Sequence, residues 1–174
     1  MESADTETEA GEPRAGSLEE LYVRHAPEAV RLAFLLTHDA AYAEDVVQEA
    51  FIKIAGRFHH LRSLSSFDAY LRRTVVNLCM SHHRKEKVAR AYLEREGRSG
   101  ERVTQPPDVE TRDEMRTALA SLPDRQRAAV VLRFYGDLSE QQVADALGCS
   151  VTAARSLVFR AMETLRGLIG GEGS

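Results

Sequence analysis

The sequence contains no tryptophan and only two cysteines among its 174 residues. Cys79 and Cys149 lie far apart in different sequence patterns, so they indicate neither a disulfide framework nor a four-ligand zinc site. No apolar run approaches the roughly 20 residues that a membrane-spanning helix needs. The acidic start also lacks the basic and apolar segments of a signal peptide, so we expect a cytoplasmic protein that does not itself span a membrane.

Motifs for catalysis are missing as well. We find no glycine-rich loop that would cradle phosphate, no nucleophile with a neighbouring base and no cluster of metal ligands. Cys79, His82 and His83 could be imagined around a metal, but a fourth ligand is missing and adjacent histidines point to different sides of a helix. An enzyme is therefore the least favoured class, and we expect no cofactor and no small-molecule substrate.

The most informative stretch, residues 138–166, contains two helical patterns joined by a tight turn. Ser139 and Gln142 fit a capping box, which predicts a helix start. Gly148 can take the left-handed conformation that ends this helix, and Ser150 can cap the next one. A short helix, a turn with glycine and a longer helix are typical of a helix-turn-helix, whose second helix reads the DNA major groove. A plain packed hairpin would show the same caps, so that alternative stays open.

The second helix of this pattern separates an apolar stripe from a polar face. The residues predicted to face the core are Ala154, Leu157, Val158, Ala161, Leu165 and Leu168. The candidates for DNA contact are Thr152, Arg155, Ser156 and Arg160. Arginine can pair bidentately with guanine or with phosphate, although each of these arginines could equally lie on a solvated face. Phe159, on the polar side, could pack on a neighbouring helix or touch a thymine methyl group.

Charge is distributed unevenly, although the net charge is only −4. Residues 1–17 carry five acids and one base, and residues 18–49 carry seven acids and two bases. Residues 50–90 reverse this balance with nine Lys or Arg against two acids. Blocks of opposite sign suggest two faces with different partners, one of them a polyanion. The alternative is that the blocks neutralise each other within a helix bundle.

Helical periodicity covers most of the chain and no segment alternates convincingly like a strand, so we predict an all-α fold of two small helical domains. The acidic segment 1–17 has too few apolar side chains to fold and is predicted to be a disordered tail. A linker at 91–112, rich in Gly, Pro and charge, separates a domain at 18–90 from one at 113–170 that contains the helix-turn-helix. This flexible linker suggests that the two domains move relative to each other.

Several details of the helices are specific enough to test. Pro27 is predicted to begin a new helical turn, and Ala55 to lie on the inward face of a helix at 43–58. Ser66 is predicted to cap the following helix. Phe134 is predicted to face the core of the second domain.

Five stretches match one known family in order and spacing. The first domain contains Leu-Tyr-Val-Arg-His-Ala-Pro at 21–27, Ala-Glu-Asp-Val-Val-Gln-Glu-Ala-Phe at 43–51, and the segment 67–77 with basic residues after it. The second domain contains Leu-Pro-Asp-Arg-Gln-Arg at 122–127 and Val-Val-Leu-Arg-Phe at 130–134 before the helix-turn-helix. These stretches resemble regions two and four of the bacterial extracytoplasmic-function (ECF) sigma factors, a group of the sigma-70 family.

The resemblance implies a promoter-specificity subunit that binds core RNA polymerase and is not itself an enzyme. One helix of region two docks on the polymerase in that family, and the matching candidates are Asp45, Gln48, Glu49 and Lys53. The following loop and helix engage the minus-ten DNA element, and the candidates there are Arg62, Arg72, Arg73, Asn77, Arg84 and Lys85. The helix-turn-helix would read the minus-thirty-five element, with the candidates Thr152, Arg155, Ser156, Phe159 and Arg160.

The sequence departs from the family pattern at several of these positions. Tyr70 stands where the family often has Trp, and Ser81 where it often has Asp. In the recognition helix, Ala153 lacks a hydroxyl and Leu157 lacks a base that the family usually has, so upstream binding is expected to be weak or altered. The family also implies a third partner besides polymerase and promoter DNA, an anti-sigma factor, which is often membrane-bound.

Two other classes stay open on the residues alone. An autonomous helix-turn-helix regulator, whose N-terminal helices dimerise or sense a ligand, predicts tight binding of a dimer to a palindromic duplex. A protein-binding helical module would leave the basic block as a solvated face. As a further alternative, Asp45 and Glu49 could form only helix-surface pairs with Lys53.

Overall fold

The computed structural model describes residues 17–58, 63–95 and 110–169, and within these ranges the protein contains helices and no strand. This confirms the predicted all-α fold. The elements are α1 (Leu18–Thr37), α2 (Ala40–Ala55), α3 (Leu64–Arg95), α4 (Glu110–Ser121), α5 (Asp124–Val130), a π-helical turn (Val131–Tyr135), α6 (Glu140–Leu147) and α7 (Val151–Ile169). None of the helices in these ranges combines the length and the hydropathy that crossing a membrane requires.

The predicted tail and linker fall largely outside the described residues. Of the tail at 1–17, only Ser17 is described, and it caps α1. Of the linker predicted at 91–112, both ends are helical, because α3 continues to Arg95 and α4 begins at Glu110. The remaining linker residues, 96–109, lie outside the described ranges.

An N-terminal unit is formed by α1, α2 and α3. Helix α1 begins with a capping box, in which the Glu20 N–H donates to Ser17 Oγ at 3.2 Å and the Ser17 N–H donates to the Glu20 carboxylate at 3.2 Å. It ends at His38, which has a left-handed φ of 59°. Pro27 was predicted to begin a new helical turn, and it lies inside α1, which is one continuous helix. Buried residues on both sides of Pro27 pack against α2 and α3, and this packing keeps the helix continuous.

The starts of α2 and α3 also differ from the predictions. Asp39 accepts a hydrogen bond from the Tyr42 N–H at 2.9 Å, so α2 begins and ends earlier than predicted. Ala55 is therefore its last residue and is exposed, not inward-facing. Helix α3 is capped by Ser63 and not by Ser66: the Ser66 N–H donates to Ser63 Oγ at 3.2 Å, and the Ser63 N–H donates to Ser66 Oγ at 3.3 Å. Both serines suit the N-cap position. Ser63 is the N-cap residue in the structure, and Ser66 is the third residue of the helix.

Aromatic rings occupy the centre of the N-terminal unit. Phe67 is fully buried, with its ring centroid 6.0 Å from that of Phe51 and 5.3 Å from that of His25. The rings of Phe51 and Tyr22 pack edge to face, with their centroids 4.8 Å apart. Pairs at these distances stabilise a core beyond the apolar area that they bury. Phe51 and Phe67 are thus core residues, and their rings are not available for stacking on bases.

A C-terminal unit is formed by α4 to α7, and its π-helical turn changes which residues face the core. The Gly136 N–H donates to the Val131 carbonyl at 3.0 Å, five residues back, and the Leu138 N–H donates to the Leu132 carbonyl at 3.2 Å. This wider turn rotates the following side chains out of the α-helical register. Phe134 is consequently 60% exposed, and the prediction that it faces the core was wrong.

The two units pack directly on each other, and Arg127 of α5 lies where they meet. It is 6% exposed and donates to the carbonyl of Leu36 at the end of α1, at 2.7 Å. It also donates to three carbonyls at the end of α4, those of Leu119 (2.8 Å), Ala120 (2.9 Å) and Leu122 (3.0 Å). The guanidinium of Arg127 thus contacts the C-terminal ends of both α1 and α4, which are the negative ends of their helix dipoles. Lys87 of α3 and Asp124 of α5 add an ion pair across the same contact, at 2.7 Å.

Candidate functional site

The predicted helix-turn-helix is formed by α6, the turn at 148–150 and α7. The capping box is present, because the Gln142 N–H donates to Ser139 Oγ at 3.2 Å and the Ser139 N–H donates to Gln142 Oε1 at 2.9 Å. Gly148 ends α6 in a left-handed conformation with a φ of 60°, and Ser150 caps α7 through a 3.2 Å hydrogen bond. Each of these roles was predicted from the residues and is confirmed. The caps fix the angle at which α7 leaves the turn.

The predicted DNA-contacting residues of α7 share one exposed side of the helix. These are Thr152, Arg155, Ser156, Phe159 and Arg160. Phe159 is 60% exposed, so its ring is presented mainly to solvent. The hydroxyl of Ser156 donates to the Thr152 carbonyl at 3.0 Å, which leaves its oxygen as an acceptor. The opposite stripe faces the core except at Leu168, which is 48% exposed, while Leu157 is partly buried against the core.

Arg155 is held by Glu140, the first residue of α6. The Arg155 Nε lies 3.1 Å from both carboxylate oxygens, and Nη2 lies 2.6 Å from Oε2. The hydrogen bond from Arg155 lowers the pKa of Glu140, and the same bond raises the pKa of Arg155. Both side chains are therefore charged near neutral pH. Sequence reasoning missed this pair, because its members lie 15 positions apart on different helices.

The polymerase-binding candidates share an exposed face of α2. Asp45, Gln48, Glu49 and Lys53 are all exposed, and Glu49 pairs with Lys53 at 3.1 Å. Ile52 lies on the same face, because it follows Asp45, Gln48 and Glu49 at helical spacing, and it is 73% exposed. We name these five residues the α2 face. Ile52 gives this otherwise polar face one exposed apolar side chain, and sequence reasoning had not singled it out.

The minus-ten candidates differ in their exposure. Arg73, Asn77, Arg84 and Lys85 are exposed, Arg72 is half-buried, and Arg62 lies outside the described residues. Asn77 and Arg84 line a cleft of about 180 Å³ together with Arg125 and Leu147 of the C-terminal unit. Arg73 is also close to that unit. Its Nη2 atom lies 3.9 Å from the position that a Cβ atom on Gly148 would occupy. Much of this basic side of α3 therefore faces the C-terminal unit.

A large apolar groove runs between the end of α1 and the C-terminal unit. It has a volume of about 830 Å³, and its walls include Leu35, Met115, Phe134, Tyr135 and Ile169. All but Leu35 are substantially exposed large hydrophobic side chains. The π-helical turn contributes Phe134 and Tyr135, which an α-helical register would have oriented differently. We name this feature the apolar groove.

The histidines near Cys79 have separate structural partners. His82 stacks on Tyr42 with ring centroids 3.7 Å apart, while His83 Nε2 lies 3.0 Å from the carbonyl oxygen of Leu36. Cys79 is fully buried, and burial raises the pKa of its thiol to about 12. Within the described ranges, no group of three or more His, Cys, Asp or Glu is placed to hold a metal ion.

Two family models match the chain. The model for sigma-70 region 2 matches residues 21–88, and the model for sigma-70 region 4 matches residues 112–165. The RNA polymerase sigma-E factor of Streptomyces coelicolor is 32% identical over 150 residues, which span 84% of this chain and 83% of the relative. The ECF RNA polymerase sigma factor SigM of Mycobacterium tuberculosis is 33% identical over 158 residues, or 88% and 78% of the two chains.

The fold is similar to that of a solved sigma factor. The structure of the sigma factor RpoE in complex with the anti-sigma factor NepR from Bartonella quintana aligns with a TM-score of 0.72. The alignment covers 88% of this chain and 97% of the other, at 25% sequence identity. The similarity therefore extends over both helical units.

Proposed function

The chain belongs to the ECF sigma factors of the sigma-70 family, and we propose that it binds core RNA polymerase and directs promoter recognition, local DNA melting and transcription initiation. The observation that carries the proposal is the occurrence of both sigma regions in one chain, each with an exposed polar face. Such a specificity subunit is not itself an enzyme, and it works in the cytoplasm. We assign region two to residues 18–90 and region four to residues 113–170.

The exposed side of α7 is the proposed reader of the minus-thirty-five element. Its support is the helix-turn-helix geometry, because the N-terminal residues of a recognition helix are those that reach base edges. Thr152, Arg155 and Ser156 stand in the first two turns of α7, and Phe159 follows one turn later. Arg160 at the edge of this face suits a phosphate contact, which positions the protein without reading sequence.

The basic side of α3 is the proposed contact with the minus-ten element. Arg72, Arg73 and Lys85 would bind phosphates, and Asn77 could donate to an exposed base. Asn77 and Arg84 are exposed, but they border the cleft beside Arg125, so a DNA strand lying on them would also meet the C-terminal unit in this arrangement. We infer that the two units separate when α3 engages DNA.

The α2 face is the proposed dock for core polymerase. Asp45 and Glu49 supply negative charge, while Ile52 supplies an apolar contact beside them. Complementary charge on a partner steers association, and a small apolar centre stabilises the bound state.

We also propose control by an anti-sigma factor. The similar sigma factor of Bartonella quintana was solved in complex with one. The apolar groove suits the apolar side of a partner helix, because exposed apolar side chains such as Phe134 and Ile169 line it. A membrane-bound partner of this kind would hold the protein at the membrane.

Run-off transcription with purified core polymerase on fragments of the host genome tests the proposed function. Addition of the protein should yield new transcripts that share upstream and start-proximal elements. No transcripts, together with no co-migration with core polymerase, would contradict the proposal and favour an autonomous regulator.

Charge reversal on the α2 face tests the dock. Asp45→Arg with Glu49→Arg should weaken core-polymerase binding about tenfold or more, because charge complementarity becomes repulsion. The matched control is Glu19→Arg with Glu28→Arg, the same charge change at exposed positions of α1. Binding would be measured by fluorescence anisotropy of the labelled full chain, with circular dichroism to confirm helicity. Equal affinities of the two double variants would remove the α2 face from the proposal.

A further inference from the structure

Among the residues that the structure describes, Glu140 occupies one edge of the Arg155 guanidinium and the other edge is free. Glu140 accepts from Nε and Nη2 of Arg155 with three contacts between 2.6 and 3.1 Å. A guanidinium has five N–H donors in a rigid planar fork, and the Nε–Nη2 edge is one of its two bidentate edges. The other edge, formed by Nη1 and Nη2, still has two parallel N–H donors. The Arg155 side chain is 66% exposed, so this edge is accessible.

We infer that Glu140 is a positioning residue, which holds Arg155 so that its free Nη1–Nη2 edge donates to O6 and N7 of a guanine in the upstream promoter element. The inference rests on the proposed function and adds to it a residue outside the recognition helix. Bidentate donation from arginine to guanine requires two parallel N–H groups at a fixed angle to the base edge. Glu140 determines that angle from α6.

The advantage of this arrangement is pre-organisation. An exposed arginine side chain samples many rotamers, and its ordering on contact with DNA opposes binding. The Glu140 carboxylate restricts this freedom before DNA arrives, because it binds two nitrogens of one planar group. Its own helix is fixed independently by the Ser139–Gln142 capping box, so Glu140 is not needed to start α6.

The positioning role predicts two opposite effects when the Glu140 charge is removed. A carboxylate near DNA repels phosphates, so Glu140→Gln should leave unchanged or raise the affinity for DNA of unrelated sequence. The same change should reduce the preference for guanine, because the orientation of Arg155 is lost. A merely structural role would lower both affinities together.

The experiment uses holoenzyme assembled from core polymerase and the full chain. It is bound to a promoter library with randomised upstream elements, and the bound DNA is sequenced. Arg155→Ala should lower the preference for guanine at one position about tenfold to hundredfold. Glu140→Gln should lower it at that same position about threefold to tenfold, as a partial loss of the same contact. Asp145→Asn, which removes an equal charge from the other end of α6, should leave the preference unchanged.

Four outcomes would overturn the inference, and they are distinguishable. Unchanged guanine preference in Glu140→Gln, with loss in Arg155→Ala, would show that Arg155 reads DNA without Glu140. Unchanged preference in Arg155→Ala would remove the guanine contact itself. If the wild-type holoenzyme initiated at no specific promoter, the proposed function would be contradicted, and with it the inference that rests on it. Equal losses of specific and unrelated-sequence binding in Glu140→Gln would indicate a structural role only.

Discussion

The two helical units differ in what holds their helices in place. In the N-terminal unit, α1, α2 and α3 are 20, 16 and 32 residues long, and they pack around the buried ring of Phe67. In the C-terminal unit, α5 and α6 have only 7 and 8 residues, lengths that are unstable as isolated helices. Besides their buried residues, α5 is anchored by the hydrogen bonds that Arg127 donates, and α6 by the reciprocal hydrogen bonds of Ser139 and Gln142. Apolar burial should therefore dominate the first unit, and polar anchors should matter more in the second.

The largest effect is expected from the core of the N-terminal unit. Phe67→Ala should lower the free energy of unfolding by about 4 kcal/mol, because it removes a fully buried ring and leaves a cavity beside Phe51. Urea unfolding measures the loss of stability, and hydrogen exchange of the amides of α1 to α3 shows where it occurs. Phe159→Ala is the matched control, since that ring is 60% exposed, and its effect should stay within about 0.5 kcal/mol. Comparable losses in both variants would contradict a core centred on Phe67.

A smaller effect, shared by both units, is expected at Arg127. Arg127→Met should lower the unfolding free energy by about 2 to 3 kcal/mol, because methionine fills similar space but makes none of the four hydrogen bonds to carbonyls. The carbonyls of Leu36 and Leu119 keep a second donor, the His83 ring and the Leu122 N–H, whereas those of Ala120 and Leu122 lose the guanidinium. Hydrogen exchange should then increase at the contact of α1 with the C-terminal unit as well as at α4. Arg125→Met is the control, because Arg125 is exposed and its hydrogen bond to the Leu147 carbonyl is long, at 3.5 Å. An effect confined to α4 would mean that the bond to Leu36 does not help to hold the units together.

The features predicted correctly from the sequence depend on residues close together in the chain. The ends of α6 and the start of α7 were predicted because a capping box, a left-handed glycine and a serine cap each act within about four positions. The exposed side of α7 followed from periodicity for the same reason. Ser63 and Ser66 show the limit of this reasoning, because both suited the cap and only the folded chain distinguishes them.

The features that were missed depend on contacts between distant residues. The Arg127 bond to Leu36 joins residues 91 positions apart, and no local pattern indicates it. The same holds for Glu140 with Arg155, and for the cleft that brings Asn77 beside Arg125. Phe134 was predicted wrongly because a π-helical turn breaks the period on which its placement was based. The exposure of single residues was therefore open to local reasoning, whereas the relation between the surfaces was not, and the binding roles of the candidate residues stay predictions.

The smallest effect, and the sharpest test of the difference between the units, concerns the cap of α6. Ser139→Ala should cost about 1 kcal/mol, because the Gln142 N–H loses the acceptor that lies 3.2 Å away. In Ser139→Ala, amide exchange should become faster at the start of α6, while the amides of α1 to α3 stay protected. Ser139→Asp should keep α6 protected, because a carboxylate can also accept the hydrogen bond of the cap. If exchange in α6 were unchanged, the burial of Val143 and Leu147 would be sufficient to hold the helix. The C-terminal unit would then depend on apolar packing as the N-terminal unit does, and the helix-turn-helix would keep its geometry without its cap.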